Sequence, residues 1–291
     1  GTLGQIIPPS IILILLGDII GVPVGRLFMG AVIPGFMLVS LFIIYILIYS
    51  WCKPAAAPAL KTVSNELSFL NILTILSPPL ILILAVLGSI FFGIASPTES
   101  AAVGAIGALV LAVLHKRLSL KNLVDSMQQT TKLTCMVFMI LIGATAFGLV
   151  FRGIGGDSLV LNIMSNLPGG MWGFLFISMF LIFVLGFFLD FLQVCFIVIP
   201  ILAPIANQFN IDMLWFAVLI ALNLQTSFLT PPFGFSLFYL KAVAPSEVRI
   251  QDIYLGIIPF VLLQVAMIII IILIPDLVTW LPDLMDKIHG I

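Results

Sequence analysis

Gln225, Thr226, Ser227 and Thr230 crowd the residues before a proline pair in "QTSFLTPPFGF" (225–235), and Gly234 follows it. Proline removes a backbone donor and clashes with the preceding turn, so Pro231 and Pro232 should break a helix there. In hydrocarbon the freed carbonyls and amides must face protein, water or an ion. Carbonyl and hydroxyl oxygens suit a hard cation such as Na⁺, and the amides opening the next half-helix suit a carboxylate. A second proline pair, Pro8 and Pro9, lies in "GTLGQIIPPSI" (1–11), beside the small or hydroxylated Gly1, Thr2 and Gly4. The plain alternative is a proline kink satisfied by neighbouring helices. Duplication favours an ion or substrate site.

Three further positions could carry chemistry. Asp190 sits in "VLGFFLDFLQVCFIVIPILAP", where a carboxylate at a helix centre costs roughly 2.5–3.5 kcal/mol unless it faces a cavity or partner; it could instead mark a hairpin tip at the interface. Glu99 in "SPTES" is placed either for function or to cap the helix behind Ser96 and Thr98. Arg152 precedes a glycine-rich turn and either snorkels to headgroups or pairs with a carboxylate substrate. That turn lacks the length and lysine of a nucleotide loop. Asp18 reads as interfacial.

The elements that must position these groups are membrane helices. The chain is 62% hydrophobic and 8% charged with mean hydropathy +1.33, against about a quarter charged in soluble domains, so its solvent is a lipid bilayer. A net charge of −1 argues against nucleic acid. Cys52, Cys135 and Cys195 lie far apart, and His115 and His289 have no partner at metal spacing, so neither a disulfide framework nor a zinc site is expected. The start at Gly1, inside a motif, suggests a fragment. Hydropathy predicts helices near 10–21, 28–52, 78–95, 100–115, 133–151, 171–189, 191–206, 213–229, 233–244 and 256–279. Those at 10–21, 191–206 and 233–244 are too short to span and read as half-helices or re-entrant hairpins. Residues 53–66 read as a linker, and 118–132 as an amphipathic interfacial helix or a solvated connector.

The two proline pairs anchor an internal repeat. "AVIPGFMLVSLFIIYI" (31–46) follows the first as "GIIPFVLLQVAMIIII" (256–271) follows the second, aligning Pro34 with Pro259. With 53–66 inside, Lys53, Lys61, Lys116, Arg117, Lys121, Lys132, Lys241 and Arg249 are cytoplasmic, and only Arg26, Arg152 and Lys287 lie outside. The same assignment runs the repeats in opposite directions.

"GTLGQIIPPSI", "SPTESAAVGA", "FRGIGGD", "GFFLDFLQVCFIVIPILAPIA" and "LTPPFGFSLFYLKAVAP" together resemble the large membrane subunit of tripartite ATP-independent periplasmic (TRAP) transporters. The resemblance implies an all-α polytopic fold of inverted repeats with broken helices and re-entrant hairpins. It also implies an elevator mechanism in a bacterial inner membrane, with the N-terminal third missing here, so that this chain alone should not transport. It implies Na⁺-coupled import of an organic acid anion, a soluble periplasmic substrate-binding protein and a small four-helix membrane subunit as partners. It places Asp190 near the ion and substrate sites, Arg152 facing substrate and Glu99 in a Pro-Thr-Glu motif. The transport domain is expected over 1–25 and 133–250, and scaffold over 26–132 and 251–291. A structural membrane subunit is one alternative. An intramembrane enzyme is another, against which stands the lack of HExxH, GxSxG or any nucleophile–base constellation.

Overall fold

The computed structural model describes residues 2–54, 69–231, 234–245 and 248–289, and within them every regular element is helical. Most of the expected linker at 53–66 lies outside the described residues. Among the described residues six helices are long and apolar enough to cross a membrane. The chain divides into two compact units, one of residues 1–42 and 135–291 and one of residues 43–134.

The larger unit opens with a 3₁₀ turn, Thr2–Gln5, followed by Pro8-Pro9 and α1 (Ile11–Ile20). Ser10 caps α1, accepting from Leu13 N at 3.4 Å while its hydroxyl donates to the Gln5 carbonyl. Gly21 ends α1 with φ +80°, a left-handed turn that glycine adopts without a Cβ penalty. The long α2 (Val24–Cys52) then carries Pro34 inside it and passes from the larger unit to the smaller.

The smaller unit holds α3 (Phe69–Phe91) and α4 (Pro97–Leu114). Here the segment map needs correction: α3 begins at Phe69, not near 78, and runs through Pro78-Pro79 without ending. A proline pair therefore does not by itself break a helix in this chain. Ser89 and Ser100 hydroxyls meet at 2.8 Å, a Cβ on Gly104 would lie 3.3 Å from Val86 Cγ2, and one on Gly107 would meet the end of the Leu82 side chain. Small residues and a hydroxyl pair are the usual means of close helix approach in lipid.

The chain returns to the larger unit within α5 (Leu120–Gly153), 34 residues and about 51 Å long, well beyond the hydrocarbon thickness. The segments read separately as 118–132 and 133–151 are one helix. Beyond it come α6 (Gly156–Ser165) and α7 (Met171–Leu185), and α6 was not foreseen. At 15 residues α7 is about 22 Å long, too short to span. It is followed by α8 (Phe191–Gln193), a π-helical turn (Val194–Val198) and α9 (Ile199–Gln208). The remaining elements are α10 (Met213–Leu229), α11 (Phe235–Val243), α12 (Ile250–Leu273) and α13 (Asp276–His289).

The core of the larger unit is α10, buried on all sides from Leu214 to Leu229. Trp215 Nε1 donates to the Ile271 carbonyl of α12 at 2.9 Å, and Asn223 Nδ2 donates to the Met179 carbonyl of α7 at 2.6 Å. At the other end of α10, Leu229 packs with Leu237 of α11 and Ile253 of α12. These contacts set α10 and α12 antiparallel. The order break, short helix, long helix with an internal proline occurs twice: Pro8-Pro9, α1, α2 with Pro34, and Pro231, α11, α12 with Pro259.

Candidate functional site: the break between α10 and α11

The last turns of α10 carry the buried polar run. Gln225, Thr226 and Ser227 are fully buried, and Asn223 nearly so. Each hydroxyl donates back along the helix: Thr226 Oγ1 to Leu222 O at 2.8 Å, Ser227 Oγ to Leu224 O at 2.7 Å and Thr230 Oγ1 to Thr226 O at 2.8 Å. Their donors are thereby satisfied, while their oxygen lone pairs stay available to a cation. Gln225 differs. Neither Oε1 nor Nε2 has a hydrogen-bond partner among the described residues, although both are buried. An unmet buried amide costs about 1–3 kcal/mol, so the position calls for an explanation.

α10 ends at Leu229, and Thr230 leaves the helix with φ −93° and ψ 129°. The chain re-enters helix at Phe235 after Gly234, where a Cβ would lie 2.8 Å from the Phe228 carbonyl oxygen. Glycine there lets the returning backbone cross close over the last turn of α10. Gly186, at the C-terminal end of α7, has the same function from the other side. A Cβ on it would fall on the Ser227 hydroxyl and 2.8 Å from Ser227 Cβ. Gly186→Val should therefore destabilise the protein by about 1–3 kcal/mol through overpacking, read as a lower melting temperature in detergent, with Gly186→Ala intermediate.

A cavity of about 840 Å³ opens beside the break, bordered by Thr2, Gln5, Asp190, Phe228, Ser236 and Tyr239 among others. The structure thus brings Thr2, from the N-terminal turn, and Asp190 to the end of α10. Gln5 and Tyr239 were not singled out from sequence. Asp190 is half-buried at the N-terminal end of α8, just past the turn that closes α7, and its amide donates to Gln193 Oε1 at 3.3 Å. It is therefore at a hairpin tip, not at a helix centre. Gln225, Thr226 and Ser227 do not border the cavity, whereas Phe228 and Leu229, the next two residues of α10, do. Neither Gly4 nor Thr230 lines it, and Pro8 and Pro9 lie between the N-terminal turn and α1. Gly1 and Pro232 fall outside the described residues.

Arg152 is elsewhere. With Asp18, Thr145 and Asp157 it borders a second cavity of about 360 Å³, and its Nε lies 3.7 Å from Asp157 Oδ2. Glu99 belongs to the smaller unit, where it completes a capping box: Ser96 N and Ser96 Oγ both donate to Glu99 Oε2 at 2.7 Å, and Glu99 N donates to Ser96 Oγ at 3.3 Å.

Gln264 of α12 is the residue sequence reading missed most clearly. It is fully buried, and among the described residues both of its amide atoms lack a hydrogen-bond partner. The antiparallel register fixed by Trp215–Ile271 and Leu229–Ile253 sets it roughly one to two turns from the level of Gln225. The signal was available: a lone amide in "PFVLLQVAMIIIIIL" is as anomalous as Asp190 in its own run. Among the described residues no three of His, Cys, Asp and Glu come together. The donors around the α10 break are neutral amide and hydroxyl oxygens, which fit an alkali cation better than a transition metal.

Residues 1–277 match the family model described as "Tripartite ATP-independent periplasmic transporter, DctM component". Over 97% of its length the chain is 31% identical to the sialic acid TRAP transporter permease protein SiaT of Haemophilus influenzae and 27% identical to the sialic acid TRAP transporter large permease protein SiaM of Vibrio cholerae. It is 28% identical, again over 97% of its length, to the C4-dicarboxylate TRAP transporter large permease protein DctM of Pseudomonas aeruginosa. It spans 45% of the first relative and 65% of each of the other two. The motif resemblance and the family match agree over nearly the whole chain, and the chain belongs to the DctM family of TRAP-transporter large permease subunits.

Proposed function

We propose that this chain forms the part of a Na⁺-coupled organic-acid importer that holds the coupling ion at the end of α10, with substrate in the adjoining cavity. Family membership makes it a multi-pass protein of the bacterial inner membrane and a transport subunit, not an enzyme. The observation that carries the ion assignment is the buried Gln225 amide, without a hydrogen-bond partner among the described residues, directly before the buried hydroxyl residues Thr226 and Ser227 in the last turns ahead of a helix break. When bound, Na⁺ would supply the positive charge that lets an anion rest beside Asp190. Gln225, Thr226 and Ser227 would offer it oxygens, and Gly186 and Gly234 keep the helix end close-packed around them.

The transport domain, in this reading, comprises residues 1–25 and 133–250 and moves as an elevator against scaffold residues 26–132 and 251–291. The twofold order of break, short helix and proline-containing long helix supports inverted repeats, as does the excess of cytoplasmic Lys and Arg. Relatives are named for sialic acid, C4-dicarboxylates and ectoine, and we take the substrate to be a small organic acid of that range. The partners proposed are a four-helix membrane subunit and a periplasmic binding protein. A relative named as the permease DctMQ, of which this chain covers 43%, is in keeping with the former.

The test is uptake into proteoliposomes by the complete large subunit with both partners under an imposed Na⁺ gradient. Candidate acids are offered in turn, to wild type and to Thr226→Val/Ser227→Ala. Uptake that depends on Na⁺ and is abolished by the double substitution is the expected result. Undiminished uptake would make the α10 break a structural kink.

A further inference from the structure

The C-terminal helix α13 has three faces, and among the described residues one is left exposed. Val278 and Pro282 are buried; a Cβ on Gly30 of α2 would lie 3.1 Å from the Val278 carbonyl oxygen, so this face sits against α2. A second face is charged. Arg26 in the first turn of α2 reaches across to it, with Nη2 3.1 Å from Asp283 Oδ1 and Nε 3.2 Å from Asp286 Oδ2. The two ion pairs fix the rotation of α13 about its own axis. The third face presents Trp280, Leu284 and Ile288, at 57%, 38% and 67% exposure. Their spacing is that of one helical stripe.

We propose that α13 is a membrane-interface helix whose Trp280–Leu284–Ile288 stripe lies in the headgroup–acyl boundary of the bilayer. The occupant is argued from continuity. Leu262, Ile269 and Leu273 form an exposed apolar stripe on the spanning helix α12, which in a multi-pass protein faces lipid. Only Ile274 and Pro275 separate the end of α12 from the start of α13. The stripe on α13 therefore begins where the hydrocarbon ends. Tryptophan is enriched at that depth because its ring is apolar and its N–H is polar. The charged face holds Asp276, Asp283 and Asp286 against Lys287, the opposite of a polybasic lipid clamp, so attachment should rest on the apolar stripe and not on anionic lipid.

The experiment uses the full-length subunit with its membrane partner in phosphatidylcholine vesicles, with and without phosphatidylglycerol. Single cysteines replace Trp280, Leu284, Ile288, Asp283 and Lys287 in turn, with exposed Cys52 and Cys135 changed to serine, and each carries a nitroxide. Labels at 280, 284 and 288 should relax more strongly with oxygen than with a water-soluble nickel chelate, and labels at 283 and 287 should do the reverse. Adding phosphatidylglycerol should leave the pattern unchanged. Strong nickel access at 280, 284 and 288 would turn that face to water and overturn the proposal. Protection there from both reagents would assign the face to a protein partner and overturn it equally.

Discussion

Asp190→Ala should lower Na⁺-driven uptake by the complete transporter about 10-fold or more, the equivalent of roughly 1.4 kcal/mol of lost interaction, while the protein stays folded. Two observations separate the effects. Asp190 borders the large cavity together with Thr2 and Ser236, so removing its charge changes the field in the cavity proposed above to hold the substrate. It also stands at the N-terminal end of α8, where losing an acidic cap costs only about 1 kcal/mol. A carboxylate here would attract a cation and repel a substrate carboxylate, so under the proposed function a bound cation would be a condition for anion binding. Asp190→Asn is the sharper variant, since it keeps the shape and the capping capacity. Full uptake by the asparagine variant would show that the charge is not needed and would remove Asp190 from the ion pathway.

Gly234→Ala bears on the geometry that the ion reading needs. The added Cβ would lie 2.8 Å from the Phe228 carbonyl oxygen, so either α11 or the last turn of α10 must shift by a few tenths of an ångström. The expected result is a raised Na⁺ requirement for uptake with a small loss of thermal stability, measured on the same preparation.

Much of this was readable from residue types because lipid makes polarity expensive. Asp190, Gln225 and the hydroxyls before Pro231 stood out against apolar neighbours, and all are buried or half-buried. What the residue pattern did not carry was three-dimensional grouping. Arg152 and Asp190 looked like companions in one substrate site, yet they border separate cavities, and Arg152 already has Asp157 beside it. Proline pairs were also read too literally. Pro78-Pro79 is tolerated inside α3, whereas Pro231 follows a helix whose final hydroxyls bond its own carbonyls and precedes a glycine that lets the chain fold back. Context, not the pair, makes the break. The helices α6 and α13 escaped notice because one follows a glycine turn and the other mixes apolar, acidic and proline residues, so neither raises a hydropathy window.

Gln225→Leu should move stability and function in opposite directions. Among the described residues both amide atoms of Gln225 lack a partner in a fully buried position. Replacing such a group by an apolar one of similar size relieves a desolvation cost of about 1–3 kcal/mol, so the melting temperature in Na⁺-free buffer should rise or hold. If Gln225 oxygen binds the coupling ion, wild type gains stability with Na⁺ by mass action, about 2.7 kcal/mol at one hundred times the dissociation constant. The leucine variant should lose that gain along with Na⁺-dependent uptake. Gln264→Leu is the matched control, because it carries the same unmet amide on the neighbouring α12. Leucine there should raise the Na⁺-free melting temperature and leave the Na⁺ increment intact. Loss of the increment in both variants would extend the ion site across α10 and α12. An increment preserved in both would mean that Gln225 is not a ligand. A stabilising substitution that removes coupling is the mark of a residue held at a folding cost for the ion it binds, and no purely structural role for Gln225 yields that pair of results.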